Sequence, residues 1–582
     1  MNENVFTIKI AGQAGQGIKS AGLILSKFLS RQGLSIYNYI EYPSLIRGGH
    51  NVVHINFSTK KVFGPCSRTD YLLALNSESI LKHRNSLSEN SVIIFDSNTK
   101  FNKELIPQNT KFLTAPLSAM AKEAGGGELL INVVSLGVLC FLMEGSLEVF
   151  NSLLEDEYGA NPKILESDYK AIKLGFDYAS NNFASENGKV FSIKNGINST
   201  NIEKQMVLDG DEAITLAAIA SGLSFASMYP MTPITNILYN LAKYQNEYKF
   251  VYVQPEDEIS AINMAIGASH AGVRSMTATS GGGFCLMSEA YGLAGITETP
   301  LVIIEGMRGG PATGLPTWNG QGDLLFVLNA HQDEFPRIVL SAGDLTEAFY
   351  LTMEAFYLAD KYQTPVILLV DKNICEHQES VTKFDISAYK IDRGKVFTEI
   401  DPNYKRYQVT SDGISPRSLP GSGNFFLANS DEHDETGYSS ETAENRIAQM
   451  NKRMQKLKTC EERDMQNPLV FGPSDANLSI ISWGSNKSSI LQILPEFPDV
   501  NFLHITWMNP FPKDFISNFL KYCKNTVLIE SNYTGQLSKL ISMHTNIEVK
   551  DKILKFDGRP FFTEELRKEI QNRLNEIERT KK

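Results

Sequence analysis

Four short segments between residues 228 and 324 carry the chemistry of this chain. The first, "MYPMTPIT" (228–235), brackets Met231 and Thr232 between Pro230 and Pro233, behind Tyr229. Proline fixes its own φ and keeps the preceding residue out of the α region, so Tyr229 and Thr232 are held extended. A threonine constrained in this way offers a hydroxyl and a backbone N–H to a carboxylate; the plainer reading is a turn that ends a strand. The second, "QPEDEISAINMAIGASHAG" (254–272), opens with Glu256, Asp257 and Glu258 and continues through a face of small residues. Acids suit a helix N-terminus. Capping does not explain the small residues, which let a flat ligand or another backbone approach closely.

The third segment, "TATSGGGFCLMSEA" (277–290), places Gly281, Gly282 and Gly283 between a strand and a helix, where backbone N–H groups can cradle an anion or a ring edge. The fourth, "EGMRGGPATGLPTWNGQGDL" (305–324), ends a buried strand at Arg308. A cation there is a stray strand end or a carboxylate clamp. The Gly/Pro-rich loop behind it has no periodicity, and loops of that length are usually functional.

A further glycine cluster lies near the N-terminus. "AGQAGQG" (11–17) sets Gly12, Gly15 and Gly17 in a strand-to-helix turn, where a helix N-terminus favours an anion. The spacing is G-x-x-G-x-G, not the dinucleotide G-x-G-x-x-G, although Glu41 follows about where a ribose-binding acid stands. A tight turn packing helix on strand and a nucleotide-like ligand site both stay open. "EYPSLIRGGHNVVHI" (41–55) adds Arg47, Gly48, Gly49 and His50, a loop suited to a phosphate, a neighbouring subunit or plain solvent.

The elements that must position these residues are α/β. "VFTIKI", "LSIYNY", "VVHINFS", "YLLALN" and "SVIIFDS" read as strands around a first helix. "FVYVQ", "SMTATS", "TPLVIIEG", "FPRIVLSAG" and "TPVILLVD" alternate with helices, which implies a parallel sheet. "LSIISWG", "VNFLHIT" and "NTVLIES" begin a third unit. Polar sequence around 183–200 reads as a linker, and the stretch from about 385 to 465 as an excursion ending in a helix charged all round. The divisions are 1–190, 200–385, 386–465 and 466–582.

Composition narrows the function. A chain of 582 residues holds several domains, and its net charge of −11 argues against nucleic acid as the main partner. The six cysteines form no CxxC, so they read as reduced thiols in a cytoplasm rather than metal or cluster ligands. The longest apolar run, 129–143, is too short and interrupted to span a bilayer and reads as a buried helix, so no membrane partner is expected.

In order, "AGQAGQG…RGGH", "YPMTPIT…EDEISAI…TSGGGF…RGGPATGLPT", "DEHDETG" and "ESNYTGQL" resemble the α subunit of 2-oxoacid:ferredoxin oxidoreductases, in the form with the γ domain fused at the N-terminus. The resemblance covers essentially the whole chain. It implies three-layer, doubly wound parallel sheets: an N-terminal γ domain (the pyruvate/ketoisovalerate oxidoreductase catalytic domain), a pyrimidine-type thiamine-diphosphate-binding domain and a C-terminal transketolase-like domain. It implies oxidative decarboxylation of a 2-oxoacid, 2-oxoglutarate first because fused chains are commonest in that type, with pyruvate or a branched-chain 2-oxoacid as the other substrates. Coenzyme A takes the acyl group, and electrons pass singly to iron–sulfur clusters and ferredoxin.

The family shares thiamine diphosphate with a β subunit that holds Mg²⁺ and an iron–sulfur cluster, in a heterotetramer of two α and two β chains. No GDG occurs in this chain, which agrees with that division. The resemblance assigns Glu258, or Glu256 if the register is set by Q-x-E, to the aminopyrimidine. It assigns Thr232, Tyr229, Pro230 and Arg308 to the substrate, and Gly281, Gly282, Gly283, Gly12, Gly15 and Gly17 to cofactor binding. Ala312 and Gly320 replace the usual serine and charged residue, which leaves side-chain selectivity open. A second class of reading, a flavin or nicotinamide oxidoreductase built on "AGQAGQG", leaves Thr232 and the acidic helix unexplained. A third, a non-catalytic scaffold for a β-like chain, leaves Glu258, Thr232 and Arg308 unexplained.

Overall fold

The structure is a computed structural model that describes residues 5–45, 48–184, 190–193 and 205–581. Most of the polar stretch expected as a linker lies outside the described residues. The first sheet has eight strands, ordered Lys111–Ala115, Leu87–Asp96, Thr69–Ala74, Phe6–Gln13, His50–Ser58, Ser35–Glu41, Gln378–Thr382 and Gln205–Asp209. Its first four strands are mutually parallel. The remainder is antiparallel, because only a short connection separates Ser35–Glu41 from His50–Ser58 and a parallel pair needs a long crossover. The last two strands come from beyond residue 200, so this sheet crosses the divisions drawn from the sequence.

The apolar run at 129–143 forms the helix Ile131–Leu142, with ten of its twelve residues buried. It crosses Pro162–Asn182 at Gly137 and Gly175. A Cβ on either glycine would run into a carbonyl of the facing helix, Ile172 for Gly137 and Val134 for Gly175. Among the described residues no single helix is long and apolar enough to cross a membrane.

The second sheet runs Trp507–Asn509, Ile338–Ser341, Pro365–Asp371, Leu301–Met307, Ser275–Thr279, Phe225–Ser227 and Val251–Val253. All neighbours are parallel except the first pair. Helices cover both faces and make two cores, which is why these strands read as continuous apolar runs. The five-stranded third sheet is ordered Leu469–Phe471, Val500–His504, Leu478–Ser482, Thr526–Glu530 and Lys552–Leu554.

Residues 386–465 contribute no strand to any sheet, and end in the helix Ala443–Arg463. The sequence reads this helix as charged all round, yet Lys452, Arg453 and Lys456 are buried. They point at carboxylates. Lys452 and Lys456 reach the two oxygens of buried Glu298 at 2.5 and 2.6 Å, and Arg453 makes a bidentate pair with Glu432. Burial pushes Glu298 upward, but Lys452, Lys456 and Arg406 outweigh it and hold the carboxyl well below the ordinary range. Glu298 stands two residues beyond the helix Gly281–Ile296, so this ion triad fastens the excursion to the end of the helix that carries the three glycines. Removing one partner strands buried cations. Glu298→Gln is therefore expected to destabilise the chain by about 3–5 kcal/mol in urea unfolding.

Candidate active site

Four adjacent strands of the second sheet, Leu301–Met307, Ser275–Thr279, Phe225–Ser227 and Val251–Val253, run parallel. Parallel strands send their carboxyl ends to one edge, where open α/β sheets take ligands. Met307 leads into Arg308, Thr279 into the glycines, Ser227 into the proline-bracketed segment and Val253 into the three acids. The sheet thus gathers all four sequence motifs at one edge.

The three acids divide their work. Asp257 caps the helix Glu258–His270, its carboxylate accepting the Ser260 N–H at 2.7 Å. Glu256 is exposed. Glu258 is 3% exposed, and its Oε1 meets no hydrogen-bond donor among the described residues. An acceptor buried in that state costs roughly 1–3 kcal/mol. The Glu258 side chain lies on Gly283, where a Cβ would come within 2.6 Å of Oε1 and collide with the Thr279 hydroxyl. Ser227 Oγ donates to the Ala261 carbonyl at 2.5 Å and fastens this helix to the neighbouring strand.

The three glycines form the first turn of the helix Gly281–Ile296, and the Ser280 side chain gives that turn no cap bond. Each makes room for something different. A Cβ on Gly281 would lie 2.5 Å from Asp323 Oδ2, and one on Gly283 would strike Glu258. Above Gly282 the nearest atom is the Ala312 carbonyl oxygen, 4.0 Å from where a Cβ would stand. The middle of the turn is therefore open.

Arg308 Nη1 donates to the Thr232 carbonyl at 2.8 Å, which brings two residues 76 positions apart into direct contact. The Thr232–Pro233 peptide is cis. Pro233 and Ile234 pack on Gly306, where a Cβ would sit 3.0 Å from Pro233 and 2.6 Å from Ile234. Tyr229 is partly exposed and Pro230 exposed at the same edge. Burial lowers the Arg308 pKa and the charge of Asp323 opposes it. One Nη is spent on the Thr232 carbonyl, and a guanidinium has five N–H donors.

The loop after Arg308 is held by a residue to which the sequence reading gives no role. Gln321 Nε2 donates to Asp371 Oδ2 and to the Trp483 carbonyl, each at 3.2 Å. Its Oε1 accepts from Asn486 at 2.8 Å and from the Ser531 N–H at 2.9 Å. Its backbone N–H and carbonyl bond Ser531 and Asn532. Thr317 Oγ1 donates to the Tyr42 carbonyl at 2.8 Å, and the Arg559 guanidinium stacks 3.8 Å from the Trp318 ring. Segments associated with all three sheets meet on this loop. The one local signal was an amide, Gln321, set between two glycines in "NGQGDL".

The N-terminal glycines are elsewhere, on the first sheet. Gly15 and Gly17 take φ of 90° and 68° in the turn between Phe6–Gln13 and Ile18–Arg31. Gln16 folds back so that its Oε1 accepts the Gln13 N–H at 2.7 Å and fills the space beside Gly12. Asn132 donates to the Gly17 carbonyl at 3.1 Å. The charges acting most strongly on Glu41 are those of Arg559, Lys372 and Lys9. Arg47 lies outside the described residues; Gly48 and Gly49 have positive φ, and His50 Nε2 is 2.9 Å from His83 Nε2.

Comparison with known proteins agrees with this architecture. Residues 7–178 match the family model described as pyruvate ferredoxin/flavodoxin oxidoreductase, and residues 216–452 match its thiamine-diphosphate-binding model. The 2-oxoacid:ferredoxin oxidoreductase subunit alpha of Saccharolobus solfataricus is 32% identical over 97% of this chain and 96% of its own. The 2-oxoglutarate oxidoreductase subunit KorA of Mycobacterium tuberculosis is 28% identical over 100% of this chain and 93% of its own. The solved structure of 2-oxoglutarate:ferredoxin oxidoreductase from Magnetococcus marinus, with 2-oxoglutarate, coenzyme A and succinyl-CoA bound, superposes with a TM-score of 0.89 at 30% identity, covering 99% of both chains. The chain therefore belongs to the α subunits of the 2-oxoacid:ferredoxin oxidoreductases.

Proposed function

We propose that this chain supplies the pyrimidine side of a cytoplasmic enzyme that oxidatively decarboxylates 2-oxoglutarate to an acyl-CoA and CO₂ and reduces ferredoxin. One observation carries the reading: the buried, unpartnered Oε1 of Glu258, at the sheet edge where Thr232 and Arg308 are already joined. An orphaned carboxyl oxygen suits the N1′ position of an aminopyrimidine, and the segment that contains it matches a thiamine-diphosphate-binding family model. The choice of substrate is supported by the Magnetococcus marinus enzyme, which holds 2-oxoglutarate and coenzyme A.

Within this reading, Glu258 Oε1 holds a proton at N1′. The first turn of Gly281–Ile296 lets the ring lie close, because the space above Gly282 is open. When bound, thiamine diphosphate supplies the electron sink that decarboxylation needs. Arg308 fixes the substrate carboxylate with the donors left over from its bond to Thr232, while Tyr229 and Pro230 wall the same edge. The bond between Arg308 and Thr232 presets the distance between clamp and threonine before substrate arrives, which is where positioning gains most.

A β subunit bearing the diphosphate-side domain, Mg²⁺ and an iron–sulfur cluster completes the site, in a complex of two α and two β chains. Exposed Ile259, Met264 and Leu286 support this partner. They lie on the two helices that carry Glu258 and the glycines, an apolar face that a second subunit would cover.

The test is CoA-dependent viologen reduction by the co-purified α/β complex across a panel of 2-oxoacids; no turnover of any of them would sink the reading. Glu258→Gln is expected to lower kcat by about 10²–10⁴-fold, the range for a positioned acid–base group, whereas Glu256→Gln keeps near-normal turnover. Arg308→Met is expected to raise KM for the 2-oxoacid by roughly 10–100-fold, the equivalent of one charge-assisted hydrogen bond, with a smaller effect on kcat. Gly283→Ala, whose Cβ would displace the Glu258 carboxyl, is expected to lower kcat while leaving the melting temperature within a few degrees.

A further inference from the structure

The sheet edge holds a second carboxyl that the mechanism above leaves idle. Glu305 is wholly buried on the strand Leu301–Met307, opposite Thr279 on one side and Leu369 on the other. No N–H or hydroxyl donor of the described residues reaches either of its oxygens. The group that meets it is the carboxyl of Asp323, at the far end of the active-site loop. Asp323 in turn lies against Gly281, which has no side chain to exclude it. Two carboxyls in contact, one of them wholly buried, resist ionising together, and a proton held between them relieves the repulsion. Burial, reinforced by the charge of Asp323, pushes Glu305 well above the ordinary carboxylate range, and burial raises Asp323 as well.

The groups around the pair are few. Arg308 ends the same strand and its charge acts on Asp323. Cys285 stands one turn along the helix that begins with the glycines, and Glu258 lies against Gly283 of that same turn. The strand Ser275–Thr279 presents only uncharged Thr277 and Thr279. On the other side Asp371 is already engaged by Ser485 and Gln321.

We propose that Glu305 and Asp323 are positioning residues that share one proton beneath the glycine turn and thereby set the charge that Arg308 offers to a substrate carboxylate. With the proton in place the pair carries one negative charge. That charge attracts the guanidinium toward its seat at the Thr232 carbonyl and leaves the arginine able to bind an anion. Without the proton, two negative charges oppose one positive charge, and an incoming carboxylate is repelled. Glu305 and Asp323 touch neither substrate nor cofactor in this scheme; they act through Arg308.

The inference rests on Arg308 as the carboxylate clamp, and the α/β complex tests it. In the wild type, KM for the 2-oxoacid is expected to rise at least about fivefold over the alkaline range in which the pair loses its proton, with a much smaller change in kcat. Glu305→Gln keeps a donor toward Asp323 and cannot lose that proton, so its KM should be flat with pH. Should Glu305→Gln not fold, Asp323→Asn, in the partly exposed loop, leaves Glu305 as the one titrating carboxyl, so its alkaline rise in KM is expected to be clearly smaller than that of the wild type. A wild-type KM that stays flat, or an alkaline rise that survives undiminished in both variants, overturns the pairing while leaving 2-oxoacid turnover intact. Absence of turnover in the wild-type complex overturns both readings. A merely structural carboxyl pair would alter melting temperature and not the shape of this profile.

Discussion

A carboxyl oxygen with no donor, held inside a protein, is the constraint around which this edge is built. Glu258 Oε1 occupies that position, and its surroundings explain why it stays there. Asp257 takes over capping, so the helix does not need the Glu258 carboxylate at its own N-terminus. Gly283 removes the atoms that would otherwise push the side chain aside. Ser227 ties the helix to the adjacent strand, so the residue cannot escape by a small shift of its backbone. An unmet acceptor costs roughly 1–3 kcal/mol, which only a well-fixed scaffold sustains, and such costs concentrate where a ligand supplies the missing partner.

The scaffold itself is fixed from three sides. Gln321 uses its side-chain amide and both backbone polar groups to join the active-site loop to Asp371 of the second sheet and to Trp483, Asn486, Ser531 and Asn532 of the third unit. Thr317 joins the same loop to Tyr42, just beyond a strand of the first sheet. A loop rich in glycine and proline is entropically free in isolation. Buried polar bonds to several separate segments restrain it, with Arg308 at one end bonded to the Thr232 carbonyl and Asp323 at the other against Gly281 of the glycine turn. The first sheet therefore helps to hold this edge even though its own glycine turn lies elsewhere.

What could be read from the sequence follows the range of the interactions. The strands and the helices behind "AGQAGQG", "EDEISAI" and "SGGGF" were legible because periodicity and capping are local signals. The gathering of Thr232, Glu258, the glycines and Arg308 was legible once a parallel sheet was expected, since parallel strands leave no other place for their carboxyl ends. The strands Gln205–Asp209 and Gln378–Thr382, which extend the first sheet, were not, because their partners lie more than 150 residues away. Neither was the inward aim of Lys452 and Lys456, since charge read along a helix does not reveal a buried carboxylate on another segment. The hold of Gln321 on this loop was hidden for the same reason, since its partners lie on other segments.

The apolar face around the site and the unmet acceptor within it make one argument. Ile259 sits one residue after Glu258 and Leu286 three residues after Gly283, so the side chains that remain exposed and the atom that remains unbonded belong to the same two helices. A single chain has no local way to relieve either. Supplying Glu258 with an internal donor would remove the acceptor that the pyrimidine reading needs. On the proposed reading both are relieved from outside, the apolar residues by the partner subunit and the acceptor by the pyrimidine ring. The exposed apolar residues and the unmet acceptor thus ask for the same thing, a neighbour at this edge.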